Sequence, residues 1–412
     1  MSFSRRALLP LALLATIVSV LLNTARPVGA AEDAQTGQRL PTRGPVSTDP
    51  GEDIAEPLDL VGGLLHGKPI INGDFADPYA LSEPDAIYVY ATNTVDANIP
   101  VVELPKDDAA TGRYLGDAMP TLPTWTTKGF QWGPSVWARP DGRFVMYYAT
   151  PSSPGSDRMC ISRALGSSPS GPFKDDSTEP FICPLTQGGA IDPSVYVDEG
   201  VPYLVWKSDG NCCKLPTDIY SQRLTDDGLR TAAAPTKLLD ATQSWQADVV
   251  EGPAMIREGD RYFLFYSAND WDTVDYAIGV ATCDSVEGPC RSTTDTAWMD
   301  SLPYSLGPGG QEFVEAPTGG IWMVHHGWLP HQAGTPDGQR RLYLDRISLH
   351  SGDELPTRSD TRAVEESLLE DAAFLALLIG VAIGGVVVLL AVWRHRRSSR
   401  AGSEPVPGND SQ

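Results

Sequence analysis

Phe144-Val145-Met146-Tyr147-Tyr148 and Tyr262-Phe263-Leu264-Phe265-Tyr266 are one kind of strand written twice, apolar and aromatic throughout. Each follows a tight turn, Pro140-Asp141-Gly142-Arg143 in one case and Glu258-Gly259-Asp260 in the other. Turns at Ser82-Glu83-Pro84-Asp85 and Asp198-Glu199-Gly200 extend the pattern outward. Tyr90, Tyr148, Trp206, Tyr266 and His325 mark equivalent points of five such strands, at intervals of 58, 58, 60 and 59 residues. Self-similarity at this period, with several short strands per unit, predicts blades set radially around one axis, because a small sheet cannot bury both faces alone. The expected fold is all-β, a five-bladed β-propeller over residues 66–350, a length that one β-rich domain can occupy.

A second marker repeats with the first. Gly171-Pro172 and Gly288-Pro289 lie 117 residues apart, with Gly228 between them. A third sits ahead of four strands, where a proline follows a distinctive residue: Asp77-Pro78, Trp132-Gly133-Pro134, Asp192-Pro193 and Glu251-Gly252-Pro253. The fifth repeat, read from Glu315-Ala316-Pro317 and Trp322-Met323-Val324-His325-His326, looks shortened.

The ends carry different instructions. Residues 1–30 hold Arg5 and Arg6, an apolar run from Ala7 to Leu22 and the small-residue site Val28-Gly29-Ala30, the pattern of a cleavable export signal. Ser4-Arg5-Arg6 also suits a twin-arginine signal, and both export routes stay open. Residues 31–65, rich in Pro, Asp, Gly and Thr, read as a flexible lead-in, and residues 351–371 as a juxtamembrane linker. The uncharged run 372–393 is long enough as a helix to cross a hydrocarbon core of about 30 Å. Arg394, Arg396, Arg397 and Arg400 follow it and Glu365, Glu366, Glu370 and Asp371 precede it, so residues 394–412 are expected to be a cytoplasmic tail. The expectation is thus a propeller ectodomain with a C-terminal single transmembrane helix, touching the lipid bilayer through that helix.

A formal charge of −22 over 412 residues argues against nucleic acid as a partner. The six cysteines, Cys160, Cys183, Cys212, Cys213, Cys283 and Cys290, fall in an exported domain where disulfides form. Cys283 and Cys290 flank a turn and are expected to staple a hairpin, whereas the vicinal Cys212 and Cys213 are expected to reach Cys160 and Cys183.

Asp-Pro alone usually marks a turn. In the register of the repeat, however, Asp77, Asp192 and Glu251 fall where innermost strands begin, which brings three acids to one axis at the cost of repulsion and desolvation. Glycoside hydrolysis makes use of such a group: one carboxylic acid protonates the leaving oxygen, an opposite carboxylate activates water or attacks the anomeric carbon, and a third raises the acid's pKa.

At these residues the chain resembles glycoside hydrolase family 43, the five-bladed arabinanases, arabinofuranosidases and β-xylosidases. The resemblance rests on Gly73-Asp74-Phe75-Ala76-Asp77-Pro78, Ala190-Ile191-Asp192-Pro193-Ser194-Val195-Tyr196 and Val250-Glu251-Gly252-Pro253-Ala254-Met255-Ile256. Trp132-Gly133-Pro134 is similar to the family's Trp-Ala-Pro segment, and Val324-His325-His326-Gly327 to its Tyr-His strand. It implies Asp77 as general base, Glu251 as general acid and Asp192 as the residue that tunes and orients the acid, with inversion at the anomeric carbon. It also implies no required cofactor, and a calcium ion in the central channel that His326 would meet through water. Flat indole faces suit sugar rings, so Trp132, Trp206 and Trp271 are expected to bind substrate, the alternative for Trp206 and Trp271 being blade core. The implied function is an extracellular, membrane-anchored inverting hydrolase of arabinose- or xylose-containing polysaccharide or oligosaccharide. The rival reading is a non-catalytic, cell-surface glycan-binding propeller.

Overall fold

The computed structural model describes residues 69–358 apart from 72, 107–111, 317–319, 351 and 353. Its strands form five antiparallel sheets in chain order. Blade one holds β1 (Tyr79–Ser82), β2 (Ala86–Tyr90), β3 (Pro100–Pro105) and β4 (Arg113–Asp117); blade two holds β5 (Trp132–Ala138), β6 (Phe144–Pro151) and β7 (Met159–Gly166). Blade three comprises β8 (Ala190–Asp198), β9 (Val201–Ser208), β10 (Asp218–Arg223) and β11 (Thr236–Asp240). Blade four comprises β12 (Val250–Glu258), β13 (Arg261–Ala268), β14 (Ala277–Cys283) and β15 (Cys290–Ser292). Blade five comprises β16 (Leu306–Glu315), β17 (Ile321–Trp328), β18 (Arg340–Ser348) and β19 (Thr357–Arg358).

The aromatic strands are the second of each blade, and burial on both faces explains their unbroken apolar runs. Along β13, Leu264, Tyr266 and Ala268 pack toward blade three, whereas Phe263 and Phe265 pack toward blade five. Along β6, Met146 and Tyr148 join the core shared with blade one, and Val145 and Tyr147 the core shared with blade three. The repeat therefore marks the packing between blades. The ring closes where the N-terminal segment docks on β18: the Ile70 and Phe75 amides donate to the carbonyls of Leu342 and Arg340, at 2.7 and 2.8 Å.

Each first strand has, near its start or, in blade five, at its midpoint, a residue with left-handed backbone: Asp77 (φ 51°), Gly133 (48°), Asp192 (53°), Gly252 (52°) and Gly310 (59°). This region favours Gly and admits Asp. In blades two to five the same point is a bulge in the pairing of first and second strands. Two expectations are corrected here. Glu251 is not the equivalent of the two aspartates but lies one residue before that point, in the place Trp132 holds in blade two. Blade five is not shortened: its axial turn is Gly309-Gly310-Gln311, and Glu315-Ala316 lies at the far end of β16. Among the described residues it is blade two that has three strands.

The disulfides join Cys160 to Cys183, Cys212 to Cys213 and Cys283 to Cys290. The last staples the β14–β15 hairpin as expected. Cys160 and Cys183 instead meet beside the Ile161–Ile182 bridge, leaving the vicinal pair bonded to each other within the 3-10 turn Gly210–Cys213. Among the described residues no helix is long and apolar enough to cross a membrane. The expected signal, lead-in, transmembrane helix and cytoplasmic tail, and most of the linker, lie outside those residues.

Candidate active site

The left-handed turns gather three carboxyl groups from blades one, three and four: Asp77 and Asp192 occupy two of these turns, and Glu251 directly precedes a third, at Gly252. Asp77 is held from two sides: Arg340 donates to Oδ1 at 2.9 Å and the Thr92 hydroxyl to Oδ2 at 2.5 Å. Thr92 in turn accepts from the Gly133 amide at 3.0 Å, which ties blade one to blade two. Arg340 spans the gap to Trp271, with its guanidinium 4.8 Å above the ring. The Asp77 amide donates to Nδ1 of the buried His326 at 3.1 Å.

Glu251 has both oxygens engaged. Lys207 Nζ donates to Oε2 at 2.6 Å, and the Tyr276 hydroxyl donates to Oε1 at 2.7 Å. The Tyr276 ring lies parallel to His326 at 5.9 Å, so a chain of contacts links the Asp77 backbone to the Glu251 carboxyl. Asp192 Oδ2 accepts from the Gly252 amide at 2.9 Å. Burial, then the nearby Glu251 charge, pushes Asp192 up to about 7. Burial also pushes Asp209 up to about 6. Burial of Lys207 works against its charge, but Glu251, Asp209 and Asp192 together outweigh it and hold the ammonium above its ordinary value. Burial, then Arg340, pulls His326 down to about 3, so the imidazole is neutral.

A carboxylate pinned by a guanidinium and a hydroxyl, facing a second carboxyl group whose neighbour holds a proton near neutrality, is the equipment of acid–base hydrolysis. The profile of glycosyl hydrolases family 43 matches residues 66–353, most of the propeller and more than half of the chain. The chain belongs to glycosyl hydrolase family 43. An extracellular exo-α-(1→5)-L-arabinofuranosidase of Streptomyces avermitilis is 25% identical over 293 residues, covering 66% of this chain and 59% of that protein. A β-D-galactofuranosidase of Aspergillus niger is 25% identical over 327 residues, covering 73% of this chain and 87% of that protein. The crystal structure of a thermostable family-43 glycoside hydrolase superposes with a TM-score of 0.60 at 24% identity, over 70% of this chain and 93% of that one, and bears out the five-bladed fold.

Of the expected sugar platforms in this family-43 chain, Trp132 stands beside Gly133 and Trp271 beneath Arg340, both half-buried. Trp206 is corrected to core. It is 1% exposed and stacked on Tyr220 at 4.7 Å between blades two and three, because the repeat marker it occupies is a packing position. His326 fits a hydrated calcium ion poorly. With Nδ1 accepting from Asp77, the neutral ring carries its proton on Nε2, which is buried with no hydrogen-bond partner among the described residues. Water in a cation's shell turns its hydrogens outward and needs an acceptor, not this donor. No group of three or more His, Cys, Asp or Glu suited to a metal occurs among the described residues.

Sequence reasoning passed over Thr92, Lys207, Tyr276 and Arg340. A signal for Lys207 was present: it follows Trp206 as His326 follows His325 and Ser267 follows Tyr266. The pairing puts these residues in one register, opposite Ile191, Gly309 and Glu251 respectively.

Proposed function

We propose that this protein is an inverting glycoside hydrolase acting on arabinose- or xylose-containing polysaccharide or oligosaccharide, with furanosidic arabinose as the first substrate to try. The observation that carries the reading is the convergence of Asp77, Asp192 and Glu251 from three blades, each carboxyl group with its own partners. The names of the Streptomyces and Aspergillus relatives, both furanosidases, support the sugar class.

Asp77, ionised beside Arg340, accepts a proton from water as that water attacks the anomeric carbon. The bond from that carbon to the leaving oxygen breaks as Glu251 gives its proton to the oxygen, and the configuration inverts. Burial and the adjacent Glu251 charge keep a proton on Asp192, beside the acid, up to about pH 7. Proton exchange with solvent then resets Asp77 and Glu251.

The uncharged run 372–393, acidic residues before it and basic ones after, support a bilayer tether with the propeller outside the cell. Protease shaving of intact cells, followed by detection of both ends of the chain, tests that placement. For the chemistry, the purified full chain is assayed on aryl arabinofuranosides, xylosides, galactofuranosides and polymeric arabinan. Turnover that survives unchanged in Asp77→Ala and Glu251→Ala would overturn the assignment.

A further inference from the structure

Blade three places a lysine where the other blades place neutral residues. Across the bulges, Lys207 occupies the register of Ala149, Ser267 and His326, and its side chain is wholly buried. Burying an ammonium is costly unless it is paired and hydrogen-bonded. Here Nζ donates to Glu251 Oε2 at 2.6 Å and to Asn211 Oδ1 at 2.9 Å. Asn211 belongs to the turn Gly210–Cys213, closed by the Leu215 amide on the Gly210 carbonyl at 2.9 Å and cross-linked by Cys212–Cys213. Gly210 is held to glycine by space, since a Cβ there would lie 1.9 Å from the Pro216 carbonyl oxygen.

We propose that Lys207, seated by Asn211, is a positioning residue for Glu251, fixing the carboxyl group at the leaving oxygen and setting the pH range over which it donates. The proposal rests on the acid role of Glu251 proposed above. Nζ carries only donors, so it occupies a lone pair of Oε2 and holds the carboxyl plane while Tyr276 engages Oε1. Without the lysine, Glu251, Asp192 and Asp209 would share one buried pocket with only the Arg158 guanidinium near Asp209 to offset them, and Glu251 would lose a fixed orientation.

The test compares full-chain Lys207→Met, Lys207→Arg, Asn211→Ala and Glu251→Gln on two aryl glycosides of the sugar hydrolysed best. One carries 2,4-dinitrophenol, which departs without a proton; the other carries unsubstituted phenol, which needs one. Lys207→Met should lose on the order of 100-fold in kcat on the phenyl glycoside and less than about 10-fold on the dinitrophenyl one. Its basic pH limb should shift, Lys207→Arg should recover part of the loss, and Asn211→Ala should show the same bias more weakly. Equal losses on both substrates in Lys207→Met and Asn211→Ala, with an unmoved pH profile, would make the lysine a packing residue and overturn the proposal. Should Lys207→Met fail to fold, the bias in Asn211→Ala decides. Absence of bias in Glu251→Gln would instead sink the acid assignment, which separates the two failures.

Discussion

The amide of Gly252 donates to Asp192 Oδ2 at 2.9 Å, so the carboxylate of blade three is held by the residue next to Glu251 in blade four. A shift of Asp192 to about 7 means that the folded protein binds this proton more tightly than the unfolded chain does. The associated stability is fully present below the ordinary carboxylate range and is lost as pH rises toward 7. Asp192→Asn cannot ionise and escapes that loss. Its stability relative to wild type should therefore rise between pH 5 and pH 8, by an increment on the order of 1 kcal/mol read from the melting temperature, kept small because Asp192 is half-buried rather than fully enclosed. Its activity should fall and its basic limb move to lower pH, as the acid loses the neighbouring carboxyl group. Thermal melts and kcat/KM profiles at both pH values check both statements.

Asp77 differs from Glu251 in what it is asked to do, and the difference is measurable. Removing the base impairs attack by water whatever the leaving group, so Asp77→Asn should lose roughly 10²- to 10⁴-fold in kcat on dinitrophenyl and phenyl glycosides alike. Arg340→Met should follow the same pattern less severely, because it releases Oδ1 and leaves Thr92 on Oδ2. Proton NMR of the first-formed sugar should show the inverted anomer; a retained product would require a covalent intermediate and another role for Asp77.

The blades were legible because packing between them is periodic. Tyr90, Tyr148, Trp206, Tyr266 and His325 are all buried at equivalent heights, and a buried aromatic leaves a plain mark in sequence. The aspartates were legible for a related reason: a left-handed turn before proline admits few residues, and Asp stands out among glycines. Lys207 is marked only by its place one residue after the repeat aromatic Trp206, and Tyr276 and Arg340 left no mark at all. Their places are defined by partners 25 and 263 residues away, and tyrosine and arginine are common elsewhere in the chain. The same periodicity misleads at Trp206, where an aromatic that marks a packing position looks like a sugar platform. The disulfides diverged because a bridge between Ile161 and Ile182, invisible to spacing, seats Cys160 against Cys183.

Two tryptophans should therefore respond in opposite ways. Trp206→Ala empties a core position between blades and should cost about 3–5 kcal/mol, read as a fall in melting temperature, with KM unchanged in whatever folds. Trp132→Ala, at the rim beside Gly133, should raise KM several-fold with a smaller effect on melting. If Trp206→Ala raised KM at unchanged stability, its place in the core would be wrong.

Gly310 and Gly259 share a backbone angle, φ 59° in each, yet differ in surroundings. Alanine at either site meets the left-handed penalty of roughly 1–2 kcal/mol. A Cβ at Gly259 meets nothing within 4 Å, so Gly259→Ala should lower stability by that amount and leave kcat alone. At Gly310 the added carbon would fall 2.7 Å from His326 Nδ1 and 3.0 Å from the Asp77 Cα. The imidazole and the Asp77 backbone must then part, which breaks the bond from the Asp77 amide to Nδ1 and turns the base away from its water. Gly310→Ala should consequently lose kcat by a larger factor than its melting temperature accounts for, and the loss should be equal on dinitrophenyl and phenyl glycosides because the disturbance lies on the Asp77 side. Equal kinetics for the two glycine variants would show that the close approach of Gly310 to His326 does not govern the base.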